Sequence, residues 1–217
     1  MNWTSRLLAV ALAAAASLSV DLPAQSTLPK GAKPSQESVG VCELLRNFWS
    51  ESRGSGEPYD DAEAYEVYSA IIPTVAPNPE RNMWFIRIDT LPRTHGSSLS
   101  DRARQEWKHE RGADTALDDF SKVNAKHWLL QENFTLPKPH RLVSRDNIEE
   151  MFPRKAEGVM EEHWIQLSVV GFNADKTLAV VYMAHFCGEA CADGKPFVLR
   201  KENGKWKILS WFQCWSS

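Results

Sequence analysis

A histidine, two cysteines and a glutamate crowd the stretch His185-Phe-Cys-Gly-Glu-Ala-Cys191. Thiolates, an imidazole and a carboxylate are the groups from which a redox, metal or acid–base site is assembled. The spacing argues against the first two. Thioredoxin-type exchange uses two spacers between its cysteines, and here Gly188, Glu189 and Ala190 intervene. A zinc site built from His185, Cys187, Cys191 and Cys214 lacks the paired C-x2-C knuckles that mark such sites, and oxidising export would compete for the same thiols. No metal and no cofactor is therefore expected. Cys42, Cys187, Cys191 and Cys214 suit two disulfides, with three connectivities open to them. The favoured pairing is Cys187–Cys191, closing a hairpin end, with Cys42–Cys214 clipping the first helix to the last strand.

Other chemistry is thinner. The sequence contains no G-x-S-x-G elbow, no G-x4-G-K-[ST] phosphate loop and no H-E-x-x-H metal helix. Glu161-Glu162-His163 sets two carboxylates beside an imidazole, but sequence neighbours point in different directions, so a solvated turn is the plainer reading. His95, His109, His127 and His140 have no partner at a readable spacing, and Asn133-Phe-Thr135 is a glycosylation acceptor only in a eukaryotic secretory pathway. His185 and Glu189 remain the catalytic candidates, at the rim of any pocket between sheet and helices.

The elements that must position these residues change period along the chain. Val39, Cys42, Leu45 and Trp49 repeat at helical spacing, and a second helix through Tyr65, Tyr68 and Ile72 follows a capping box at Asp60 and Glu63 and ends at Pro73. Residues 83–89 read as a strand, the charged segment 101–111 as an exposed helix or loop, and Leu117, Phe120 and Val123 as a short helix. A short strand over 141–143 leads to a helix capped by Ser144. From Trp164 the pattern alternates. Residues 164–172 should pair with 177–186 across Asn173-Ala-Asp-Lys176, and 197–201 with 205–215 across Asn203-Gly204.

Alternation sorts the faces. The strand 177–187 is apolar on both sides, with Leu178, Val180, Tyr182 and Phe186 on one and Ala179, Val181 and Met183 on the other, so it should be central, with His185 and Cys187 continuing the second face at a rim. In the last strand the even positions, Trp206 to Cys214, look inward. Trp211 and Trp215 then share the opposite face, either packed under another element or exposed as a sugar-stacking ligand platform. The fold class expected is α+β, N-terminal helices on a C-terminal antiparallel β-meander, with the cone of nuclear transport factor 2 as one candidate.

The ends and the charge bound the compartment and the partners. A short cationic start and the apolar run 7–20, closed by Asp21 and Pro23, read as a secretory signal peptide over 1–26, too short for a membrane span of about 18 or more residues. Residues 27–35 form a flexible lead-in, and 36–217 a single α+β domain. The expected location is secreted or periplasmic, with no membrane span after cleavage. A formal charge of −3 with both signs mixed gives no basic face for nucleic acid.

The residues Val170-Gly-Phe-Asn-Ala-Asp-Lys-Thr-Leu-Ala-Val-Val-Tyr182, His185-Phe-Cys-Gly188, Cys191 and Glu202-Asn-Gly-Lys-Trp-Lys-Ile208 resemble a family of uncharacterised exported bacterial proteins. Upstream the likeness thins to Tyr65-Glu-Val-Tyr-Ser-Ala-Ile71, Ile88-Asp-Thr90 and Asp118-Asp-Phe120. The resemblance implies bacterial origin and export and transfers no catalytic residue. The expectation is an exported binding or accessory domain of the cell envelope, whose partner is an envelope protein, a small molecule or a glycan. The alternative is an enzyme of unrecognised class.

Overall fold

A computed structural model describes residues 56–91, 97–151, 163–188 and 191–216 of the chain. The leader 1–26, the lead-in, the first expected helix, Cys42, His95 and Glu189 lie outside the described residues. What is described is α+β and mostly β, dominated by one eight-stranded mixed sheet. Its strands are β2 (Trp84–Arg87), β4 (His140–Val143), β5 (Trp164–Leu167), β6 (Gly171–Phe172), β7 (Leu178–Gly188), β8 (Cys191–Glu202), β9 (Lys205–Trp211) and β10 (Trp215–Ser216). Two further strands, β1 (Glu57–Tyr59) and β3 (Trp128–Leu130), pair in parallel as a small separate sheet.

The C-terminal half is the antiparallel meander that its turns prescribe. β5 and β6 run against β7, β7 against β8, and β8 against β9 and β10. Asn203 and Gly204 both take positive φ, 51° and 74°, the conformation a two-residue hairpin turn needs to follow the twist of its strands. At the other turn the Asn173 side-chain oxygen accepts from the backbone N–H groups of Thr177 and Leu178 at 2.9 and 2.8 Å.

The sheet departs from a pure meander at β2, which pairs in parallel with β4 on one side and β5 on the other. These pairings need long crossovers, which leave no turn signal in the sequence. β2 is buried along its whole length, as its β-branched and aromatic residues suggest.

Helices cover both faces. Helix α1 (Ala62–Ile71) starts at Asp61, not Asp60: the Asp61 carboxylate accepts from the Glu63 N–H at 3.0 Å, and Pro73 ends the helix in a single 3-10 turn. Its Tyr65, Val67, Tyr68 and Ile71 pack on the first face of the sheet with Ala179, Val181, Met183, Phe197 and Leu199. Helices α2 (Ser97–Glu106) and α3 (Ala113–Val123) cover the second face, where Leu117 and Phe120 meet Leu178, Val180, Tyr182 and Phe186. Trp107, expected on an exposed segment, is buried here. Helix α4 (Arg145–Met151) follows Ser144, whose hydroxyl accepts from the Asn147 N–H at 3.2 Å.

One polar residue pins α3 to the sheet. Between β5 and β6 the register slips by one residue, and the freed backbone of Val169 is taken up by buried Asn124. Its side-chain oxygen accepts from Val169 N–H at 2.8 Å while its amide donates to the Val169 and Phe120 carbonyls at 3.0 and 2.8 Å. That satisfies both the bulge and the helix end, where an unpaired buried group would cost stability.

Candidate functional site

β7 is central and buried on both faces, as its two-sided apolarity predicts, and its end carries His185 on the first face with Ala179, Val181 and Met183. His185 stands beside Ile165 of β5 and Asp193 of β8 in the register. Immediately before β5, His163 brings its ring centre to 5.9 Å from that of His185. Asp193 forms an ion pair with Lys195 two residues on, at 3.0 Å, and the Lys195 ammonium lies 5.3 Å from the centre of the Trp211 ring at the end of β9. One row of side chains thus crosses four neighbouring strand positions on one face, beyond the apolar cluster under α1.

The row is imperfectly satisfied. His185 is 9 % exposed, yet its Nε2 is buried with no hydrogen-bond partner among the described residues. The same holds for His163 Nδ1, and Asp193 Oδ1 faces Lys195 as a charge without an aligned hydrogen bond. Burial pushes the His185 imidazole down to about 4; Asp193 opposes that shift, while His163 and Lys195 add to it. Burial also lowers His163. Both rings are therefore neutral at pH 7, each with one donor and one acceptor nitrogen.

The tryptophans do not form a pair. β9 carries one extra residue, Leu209, where the register with β8 shifts between Val198 and Leu199. Trp206 and Ile208 lie with the first-face core, whereas Leu209, Phe212, Cys214 and Trp215 lie with the second. Strict alternation assumed an unbroken ladder; this bulge turns Trp211 to the first face, and a second one-residue slip between Trp211 and Trp215, where the partners on β8 are Phe197 and Gly194, turns Trp215 to the second. Trp215 is buried, its indole N–H donating to the Tyr182 hydroxyl at 2.6 Å, while Trp211 opposes Phe197 on the first face and stays 51 % exposed. The two candidate ligand-binding residues are on opposite sides of the sheet.

No protein-family model, curated protein or solved structure matches the chain.

Cys187 and Cys191 are joined across the β7–β8 turn with their Cα atoms 4.9 Å apart, and Gly188 within that turn takes φ 134°. Cys214 is disulfide-bonded too, and its expected partner Cys42 is outside the described residues. These thiols are committed to bonds, so neither a thiolate nucleophile nor the His185–cysteine zinc set is assembled from them. Among the described residues no three His, Cys, Asp or Glu side chains converge to hold a metal ion, and no helix is long and apolar enough to cross a membrane. His109 is exposed, and His140, on β4 and three strands from β7 in the sheet order, lies 3.2 Å from a Glu132 oxygen.

His163 was legible only in retrospect. It stands two residues before Ile165, which puts it on the first face, but the turn-like Glu161-Glu162 masked the start of the strand. A second polar group, Arg87 and Asp89, also has the i, i+2 signature of one strand face; it forms a buried ion pair on the second face with the guanidinium 5.6 Å from the Trp164 ring centre. Bidentate pairing of this kind holds the strand end together and leaves the charge compensated.

Proposed function

We propose that the protein is an exported binding domain and that its ligand, a small polar molecule, sits on the row His163, His185, Asp193, Lys195 and Trp211. The observation that carries this reading is a neighbouring pair of buried nitrogens, His185 Nε2 and His163 Nδ1, that no described residue satisfies; Trp107 Nε1 and His140 Nε2 are unsatisfied as well, outside the row. Buried polar atoms without partners are uncommon in folded proteins, and a ligand is one physical reason to keep them. Export rests on the leader 1–26 and agrees with the Cys187–Cys191 disulfide, which persists in oxidising compartments. Bacterial origin rests on the resemblance of the C-terminal block. A cone of the nuclear transport factor 2 type would give the row a mouth, although the parallel pairing of β2 departs from it.

The enzymatic alternative has less support. A general base works best with a pKa near the operating pH, and His185 at about 4 is far below it. The test is nitrogen NMR of the imidazole rings in the matured protein, titrated with fractionated low-mass envelope solutes. Binding at this row shifts the His163 and His185 ring nitrogens and raises the melting temperature. A solute that stabilises the fold while leaving both rings unmoved would place the ligand elsewhere and end this reading.

A further inference from the structure

We infer that the ligand is a neutral oligosaccharide, stacked on Trp211 and hydrogen-bonded to His185, His163 and Asp193; this rests on the binding reading above. Trp211 is the one large apolar side chain that stands exposed among the described residues, and its ring lies on the same face and at the same end as the polar row. A flat indole beside converging donors and acceptors suits a ring that is apolar on its C–H face and polar at its edge.

Charge sets the class. An anion site presents uncompensated cations or converging N–H groups, whereas here the single ammonium is paired with Asp193 and both imidazoles are held neutral. An aliphatic ligand would leave His185 Nε2 and Asp193 Oδ1 as unsatisfied as they already are. A hydroxyl both donates and accepts, so it satisfies either nitrogen of a neutral imidazole whichever tautomer is present, and the carboxylate as well. A polyol is the chemistry that matches every group in the row.

Extent sets the size. The row runs from the start of β5 across β7 and β8 to the end of β9, and three strand spacings of about 4.8 Å make it roughly 14 Å long. That exceeds a single sugar ring, so a chain of rings should bind better than a monosaccharide.

The matured protein is applied to an array of neutral oligosaccharides from bacterial envelopes, plants and fungi, with glucose, inorganic phosphate and succinate as solution controls followed by the same imidazole NMR. The expected result is binding to at least one oligosaccharide with shifts at His163 and His185, and at least tenfold weaker binding to its monosaccharide. Trp211→Ala should weaken binding about tenfold to a hundredfold with an unchanged melting temperature. His185→Ala should also weaken it, and His185→Gln, which returns an amide nitrogen near the Nε2 position, should recover part of the loss. Shifts of the two rings with phosphate or succinate and with no oligosaccharide would overturn the glycan inference and leave the binding site standing. Silence of both rings to the array and the controls would overturn both, and so would oligosaccharide binding indifferent to Trp211 and His185.

Discussion

β7 and β8 carry two polar clusters back to back, and they solve the problem of burial in opposite ways. On the second face Tyr182 and Trp215 are both buried and bonded to each other, with the phenol held protonated by burial. On the first face, three residues along β7, His185 is as deeply set as Trp215 but has a ring nitrogen with no described partner. A closed polar pair strengthens a core by fixing one arrangement of it. An open one weakens the core, and its survival calls for another explanation. The contrast separates residues that make the fold from residues that the fold presents.

The comparison breaks most severely at Gly194, which lies between Asp193 and Lys195 but faces the other cluster. A Cβ built there would land on the Tyr182 hydroxyl and the Trp215 indole. Gly194→Ala should cost about 4 kcal/mol, combining overpacking with a lost buried hydrogen bond. Urea unfolding would measure it, and a near-neutral result would mean that Trp215 has room to move and the pair is not closed.

Acid sharpens the contrast next. His185 titrates at 6.5 when unfolded and at about 4 when folded, so between those values the unfolded chain binds more protons. Its contribution is complete above about pH 6.5 and is lost as pH falls toward 4, a loss of up to about 3 kcal/mol. His163 on the β5 side lies beside it, with Asp193 and Lys195 on β8, and Asp193 alone opposes the shift. Tyr182 contributes nothing in this window. His185→Gln should flatten the stability profile between pH 4 and 6.5; an unchanged slope would show that His185 is not buried neutral.

The smallest effect should come from the turn that joins the two strands. Replacing both Cys187 and Cys191 by Ala opens a short loop, for which the chain-entropy relation gives about 2 kcal/mol. Because the turn adjoins the first-face row, ligand affinity should fall along with the melting temperature, while near-ultraviolet circular dichroism from the Trp215 environment persists. Equal loss of both signals would show that the turn supports the two clusters alike.

Local grammar was the legible part of the fold. Asn203-Gly204, the Asn173 turn, the two-faced apolarity of β7 and the periodicity of α1 each specify their element from a few adjacent residues. The parallel neighbours of β2 depend on partners dozens of residues away, and nothing within the strand reports them. The site was half legible. His185 on the face of Ala179, Val181 and Met183 follows from alternation, but the face of Trp211 does not, and His163 hid behind a turn-like acidic pair. The Trp211–Trp215 platform failed because hydrophobic pattern does not reveal the one-residue register slip that separates the two tryptophans after β9.

The bulge at Leu209 is a place where β9 can change length without changing sides. Deleting this one residue would set Ser210 next to Ile208 in a plain ladder, with Ser210 still opposite Val198 and Trp211 still opposite Phe197, so inside and outside are kept downstream. Descendants of this sequence should therefore lose or regain a residue here more readily than in the regular ladder of β7, where a lost codon turns every later side chain over.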